Sequence, residues 1–520
     1  QNWNSIAASN PGFTGSQVAN GAPVGSPQQA GQFTAGSIFL NSLNLPYVLQ
    51  TPQAFQATVP LNPLSSINYV NAIDPKLHMP YVESWSAGIQ RTLGQRTAIE
   101  LRYVGTHGVK LWQQQNLNET NIFENHFLPQ FQQAQANLTA CMANTTCAAN
   151  PSFGNTGLPG QGNVPIMTAA FNGQGQTSQT AAGFSQGNFI TDLQTGQAGS
   201  LANSLATTYG LWQNMIANGL PSNEFLVNPD AQGGSYLLHN GLDSTYNAFI
   251  IEVRRRPIHG VTVNASYTFS KSLTDDWQRS GSNYEDDVTL RDPGYMKGPA
   301  PFDIRNAFKF FSLWQLPFGQ GQRWANTNGW VNTLVGGWNF DSNILLQSGR
   351  PGLLTGGQGG TFDQYDGGVA LNGMSQQQLQ NSLGVYKSAS PAPGAVWFFP
   401  QNLLGANGSK TNTAILAPCG AAGALCRRMF IYDAPFFLPD LSLVKNTKIT
   451  ERIGSQIQVQ FLNAFNNANF FWTGNPATFG TAGRTLTSNN FGQITHAYQA
   501  VDSTSDHGGR TIQIVAKITF

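Results

Sequence analysis

Charge is what this sequence has least of. Asp, Glu, Lys and Arg make up 10% of 520 residues and the formal net charge is +1, against roughly 25% charged residues in ordinary soluble domains. With no basic excess and no basic stripe, the electrostatic footprint of a nucleic-acid partner is missing. No run of about 18 apolar residues occurs, which excludes a transmembrane helix. It does not exclude a membrane-crossing β-barrel, whose segments only alternate. The chain opens on Gln1 with neither a basic nor an apolar leader, so no signal peptide is legible. Catalytic signatures are missing too: there is no GxSxG, HExxH or GxxxxGKS/T. The Gly-rich "TGGQGG" (355–360) lacks the preceding strand and following helix of a phosphate cradle. The seven histidines (His78, His107, His126, His239, His259, His496 and His507) show no ligand spacing. The expectation is a chain that is not an enzyme, with no cofactor and no metal site.

What is present is uncharged polarity and alternation. Gly numbers 56, and Asn, Gln, Ser and Thr carry most of the polar character, which suits groups lining something wet. The terminal "RTIQIVAKITF" places Ile512, Ile514, Ala516, Ile518 and Phe520 on one face and Thr511, Gln513, Val515, Lys517 and Thr519 on the other. That is the two-residue period of a strand. "VTVNASYTFS" (261–270), "QIQVQFLNAF" (456–465), "TAIELRYVG" (97–105), "NAFIIEVRR" (247–255) and "WNFDSNILLQ" (338–347) behave alike. About nine such runs are expected, near 81–91, 96–106, 244–256, 260–273, 304–316, 335–348, 437–449, 454–466 and 510–520. Each is close to the length of a tilted membrane-crossing strand.

The connections alternate between tight ("TLGQ", "PIHG", "ERIG") and long (107–243, 274–303, 349–436, 467–509). Outer-membrane barrels have short periplasmic turns and long extracellular loops, which places Phe520 on the periplasmic side. Tyr81, Trp85, Tyr103, Trp112, Tyr267, Phe269, Phe310, Trp314, Trp338 and Phe340 are candidates for the interfacial aromatic girdles. The fold expected is all-β: an antiparallel transmembrane barrel over 81–520, with large insertions at 107–243 and 349–436. Residues 1–80 are expected to be irregular and extended. The location expected is the outer membrane, with lipid as one partner.

Four cysteines form two close pairs, Cys141 with Cys147 and Cys419 with Cys426, both in loop-like sequence. Local pairing needs the least rearrangement of the three possibilities and implies an oxidising compartment. Four free thiols are the alternative, and neither pair has the spacing of a zinc or redox motif.

"PYVESWSAGIQRTLGQRTAIELRYVGTHGVKLWQQQNLNE" (80–119) resembles a strand–turn–strand unit of TonB-dependent receptors of the Oar-like kind. "DSTYNAFIIEVRRRPIHGVTVNASYTFSKSLTDD" (243–276), "PFDIRNAFKFFSLWQLPFG" (301–319), "GGWNFDSNILLQSGRP" (336–351) and "DLSLVKNTKITERIGSQIQVQFLNAFNNANF" (440–470) resemble later hairpins, ending at Phe520. The resemblance implies the C-terminal part of a 22-stranded barrel. In the family a plug closes the barrel, a carboxypeptidase-regulatory-like domain precedes it, and an inner-membrane complex energises it through a TonB box. None of those N-terminal parts is in this sequence, so closure of the sheet is expected to need strands beyond it. Insertion by the barrel-assembly machinery is expected to use the strand ending at Phe520. Import of a bulky nutrient (glycan, peptide or chelated metal) is the function implied, with a surface adhesion protein or a small porin-like barrel as alternatives.

Three further features remain open at this level. Asp275, Asp276, Glu285, Asp286 and Asp287 could hold Ca²⁺ or simply form a solvated loop. Leu201, Leu205, Tyr209, Trp212 and Ile216 recur at helical spacing, as a lid over the barrel mouth or as the loop's own small core. Tyr209 and Trp212, with Trp397 and Phe398 of "VWFFPQNLL" (396–404), are possible ligand contacts or self-packing residues. Glu100, Arg102, Glu252, Arg254, Arg305, Lys309, Asp341 and Lys517 are expected on the polar face as structural pairs.

Overall fold

The computed structural model describes residues 69–171, 183–258, 260–275, 289–326, 329–356, 368–387, 396–405, 411–419, 422–450, 452–470, 472, 486, 488–489, 491–494 and 509–520. Nine strands form an antiparallel meander, each paired with its neighbours in chain order. They are β1 Tyr81–Leu93, β2 Thr97–Asn116, β3 Gly234–Ile258, β4 Val261–Thr274, β5 Asn306–Gln315, β6 Trp338–Gln347, β7 Phe436–Lys448, β8 Gly454–Leu462 and β9 Thr511–Thr519. All nine expected strands are present. Among the described residues β1 and β9 each pair on one side only, and every residue of both is exposed.

The register separates the faces. One row runs Gln90, Glu100, Glu252, Ser266 and Lys309; the next runs Ile89, Leu101, Ile251, Tyr267, Phe308, Leu346 and Phe437. At the far end Ser442, Gln460 and Gln513 align beside Leu443, Val459 and Ile514. Period two across every pair therefore gives one wet face and one greasy face. Ile89, Leu101, Leu346 and Ile514 are all exposed, which is tolerable only where that face meets lipid. Phe520 projects at the end of the same face, 94% exposed. The Tyr103 hydroxyl donates to Asn247 Oδ1 and the Tyr267 hydroxyl to Asn306 Oδ1, each at 2.6 Å. Such rings have an apolar body and a satisfied polar tip, as an interface requires.

Two boundaries differ from expectation. β2 and β3 continue past β1 and β4 as a paired ribbon, Leu111–Asn116 against Tyr236–Leu242, about 20 Å long at ~3.3 Å per residue. Tyr69–Ile73, within the segment expected to be irregular, adds to it in parallel along Gly234–Leu238. The insertion is accordingly 117–233, and Trp112 is a ribbon residue whose indole donates to the His78 carbonyl rather than a girdle member. Polar alternation in "HGVKLWQQQN" could not be told from loop because no lipid face demanded hydrophobicity. A register shift between Gly108 and Leu111, with Lys110 at φ 57°, re-aims the ribbon.

The packed cores lie in the loops rather than in the sheet. Among the described residues, 117–233 hold six α-helices: α1 Phe127–Ala143, α2 Thr145–Ala148, α3 Pro165–Phe171, α4 Gly187–Thr195, α5 Ala198–Thr207 and α6 Tyr209–Ala217. They bury Phe127, Phe131, Phe153, Met167, Leu201, Leu205 and Leu211 together. The expected single stripe is broken at Thr208, whose extended backbone (ψ 111°) separates α5 from α6. Turning there brings Leu211 and Met215 into the core and leaves Ile216 39% exposed. A second core joins 354–431 to Trp472, Leu486, Phe491 and Ile494.

Candidate functional site

Three long connections interlock at the same end of the sheet. Glu119, just after β2, accepts from the Leu290 amide at 2.5 Å and the Thr289 hydroxyl at 3.1 Å. Arg291 reaches Glu119 at 3.5 Å and makes a two-pronged pair with Glu124 at 2.7 Å. Its guanidinium also lies 4.8 Å from the Phe123 ring. Burial pushes the Glu119 carboxyl above its usual value despite these donors, whereas the exposed Glu124 is held below its own by Arg291. The 289–299 connection is thus pinned to the helical insertion.

The third connection enters through the second disulfide. The structure pairs Cys141 with Cys147 and Cys419 with Cys426, at Cα separations of 5.1 and 5.6 Å. The first joins α1 to α2, where Asn144 Oδ1 accepts from the amides of Thr146 and Cys147. The second closes a loop whose Ala422 packs against the helical core. Gly423, at φ +82°, sits so close to Leu128 that a Cβ there would lie 2.4 Å from its Cδ2. The Tyr295 hydroxyl donates to the Cys426 carbonyl at 2.7 Å, and Arg428 Nη1 donates to the Met296 carbonyl.

Where these last two connections meet, a cavity of about 320 Å³ is lined by Tyr295, Lys297, Gly298, Pro299, Arg427, Arg428 and Phe430. Lys297 and Arg427 are exposed; Arg428 is buried, its guanidinium 5.4 Å from the Phe430 ring and 6.0 Å from Tyr295. A Cβ on Gly298 would fall 2.5 Å from Phe430, so that close approach requires glycine. Three cations and two rings line the cavity without a carboxylate, an arrangement that favours an anion with an apolar or planar body. Sequence reading passed over it. The available signal was the Arg427–Arg428 doublet beside Cys426 in a chain with so little charge.

The residues singled out beforehand are placed elsewhere. Trp397 and Phe398 are 3% and 2% exposed and sit inside the second core, Phe398 stacked on Trp472 at 5.6 Å. Neighbouring loop side chains cover both rings, as an apolar "WFF" run in a loop requires. Trp212 packs against the first core and donates to the Ser222 carbonyl at 3.1 Å. Tyr209 opens α6. Of the acidic stretch, Asp275 accepts from the Asp243 amide; Asp276, Glu285, Asp286 and Asp287 lie outside the described residues. Of the eight charges expected on the polar face, Arg102 and Arg254 contact Glu100 at 3.5 and 3.9 Å, and Arg254 contacts Glu252 at 2.5 Å. Arg305 pairs with buried Asp303 at 2.9 Å.

A meander with one apolar exposed face, one polar face and long loops at a single end defines a membrane β-barrel sheet of the outer-membrane type. The chain belongs to the outer membrane beta barrel domain family, whose profile matches residues 1–513. It is located in the outer membrane. Comparison with curated proteins gave no match. Among solved structures it is similar to the outer membrane transporter YddB from Escherichia coli, at 8% identity and TM-score 0.34, over 87% of this chain and 34% of that one. It is also similar to the FrpB iron transporter from Neisseria meningitidis, at 7% and 0.30, over 87% and 33%. A third is the pyoverdine outer membrane receptor FpvA from Pseudomonas aeruginosa PAO1, at 10% and 0.29, over 88% and 31%. The chain spans about a third of the length of each.

Proposed function

We propose that this chain is the C-terminal barrel portion of a TonB-dependent receptor of the Oar-like kind, importing a bulky nutrient that carries negative charge. The partners in this reading are a plug and the TonB complex for transport, and the barrel-assembly machinery for insertion through β9 and Phe520. The carrying observation is the cavity at Lys297, Arg427 and Arg428. In a chain with 10% charged residues, three cations converging on one ~320 Å³ cavity without a carboxylate make a selective site of ordinary ligand size.

Equilibrium binding to the full-length receptor in detergent tests this, with oligogalacturonate against neutral malto-oligosaccharide of equal length. The expected result is preference for the acidic oligomer, reduced at least tenfold in Lys297→Glu/Arg427→Glu; equal binding of both oligomers refutes the anionic class. Uptake of the bound oligomer should stop when the proton gradient is collapsed. Retention at the surface with no energised uptake would instead mark an adhesion protein.

A further inference from the structure

The longest of the short-side connections, between β5 and β6, is a built element over its described residues 316–326 and 329–337 rather than a plain turn. Its first part is a small loop in which the Trp324 amide donates to the Pro317 carbonyl at 3.0 Å and the Gly319 amide to the Trp324 carbonyl at 3.1 Å. The Phe318 and Trp324 rings lie 5.7 Å apart. Its second part is a one-turn helix, α7 Trp330–Val335. The two are stitched by Asn332 Oδ1, which accepts from the Gln320 amide at 2.7 Å. Gly319, at φ +102°, passes so near Gly336 that a Cβ would sit 2.5 Å from its Cα.

The helix hangs on the greasy side of the wall. The Trp338 indole donates to the Leu334 carbonyl at 2.9 Å, and Lys445 Nζ donates to the carbonyls of Leu334 and Gly336. Trp338 and Lys445 are register partners on the apolar face, with the ammonium 5.3 Å from the indole ring. A cation at the carbonyl end of a helix also suits its dipole. Yet the bulkiest side chains that the helix presents outward are apolar, with Thr333 exposed beside them. Trp330 and Leu334, one turn apart, are 75% and 62% exposed, and Trp324 is 50% exposed with Arg323 5.4 Å from its ring. Aqueous periplasm would leave that surface wet at a cost of roughly 25 cal/mol per Å².

We infer that residues 316–326 and 329–337 form a membrane-surface foot. Trp330 and Leu334 enter the periplasmic leaflet at the boundary between phospholipid headgroups and acyl chains, and Arg323 and Lys445 lie at headgroup level. The occupant is phospholipid because this surface continues the lipid-facing wall through Trp338 and Lys445. Amphipathic segments bearing Trp, Leu and basic residues occupy that depth.

The test uses the full-length protein, in which the four cysteines of this chain are paired and any unpaired cysteine elsewhere is replaced by Ser, carrying Leu334→Cys labelled with bimane and reconstituted in liposomes. Nitroxide at carbon 5 of the lipid chain should quench the label at least twofold more than nitroxide at carbon 12, with iodide quenching weakly. Strong iodide quenching without nitroxide quenching, or protection from both through a covering protein, overturns the inference. Heat-modifiable migration on gels confirms that the variant is folded, and labelled Trp330→Cys must give the same ranking.

Discussion

Asp192 offers the sharpest check on the loop core. It lies in α4, half-buried, and its carboxyl accepts from the Ser200 side chain, in the first turn of α5. Burial outweighs that bond and pushes the carboxyl up to about 6. A carboxylate raised on folding is penalised when ionised, so stability is gained as pH falls through the folded value. The gain is complete below the unfolded value, near 3.8. Two units correspond to about 3 kcal/mol at ~1.4 per unit; discounted for the water that still reaches the group, about 1–2 kcal/mol remains. Hydrogen exchange of peptides from 187–207, corrected for intrinsic rates, should therefore show roughly 5- to 30-fold more protection at pH 4 than at pH 8. Asp192→Asn should abolish the pH dependence and match the low-pH protection throughout. A wild-type profile flat with pH, or the same slope in the Asn variant, would refute the reasoning.

Two other outcomes are expected. Ala265 and Ser266 are adjacent on β4 and face opposite sides, so Ala265→Arg should cost about 2–4 kcal/mol in urea unfolding from liposomes, the mid-bilayer figure, whereas Ser266→Arg should cost well under half of that; equal costs would mean that the faces are misassigned. Arg291→Ala should speed exchange in 289–299 by an amount equivalent to about 1–3 kcal/mol, the value of hydrogen bonds to a charged group, arising mainly at Glu119 because the Glu124 pair is solvent-exposed, and unchanged exchange would show that the connection is held by other contacts.

The barrel strands were legible because lipid on one side and water on the other impose a two-residue alternation on every crossing. Val261 to Phe269 carries it without exception, and Ile512 to Phe520 carries it with Val515 alone out of pattern. Once the ribbon leaves the bilayer, that demand ends. Leu111 to Asn116 stays paired with β3 beyond the shift at Gly108, yet "HGVKLWQQQN" shows no greasy face to read. The helical core was half legible: Leu201 and Leu205 obeyed the stripe, but the break at Thr208 depends on how α6 packs, which spacing alone does not encode. The basic cavity was not legible, since Lys297 and the Arg427–Arg428 doublet lie more than a hundred residues apart and meet only through the Tyr295 and Arg428 bonds.

The helical insertion has two kinds of attachment: the β2–β3 ribbon, stiffened by Tyr69–Ile73, and the side contacts through Arg291 and through Ala422 with Gly423. A body tethered by one flexible strap swings freely, but a body braced at three separated points behaves as a tripod. Displacing it requires detaching a leg before the remaining ribbon can flex. The Arg291 leg rests on an exposed pair with Glu124 and on half-buried Glu119, which also accepts from the Leu290 amide, and the register shift at Gly108 to Leu111 is the place where the ribbon would bend once that leg parted. Rising salt concentration should loosen that leg only slightly, by screening the exposed Arg291–Glu124 pair while the Glu119 contacts hold.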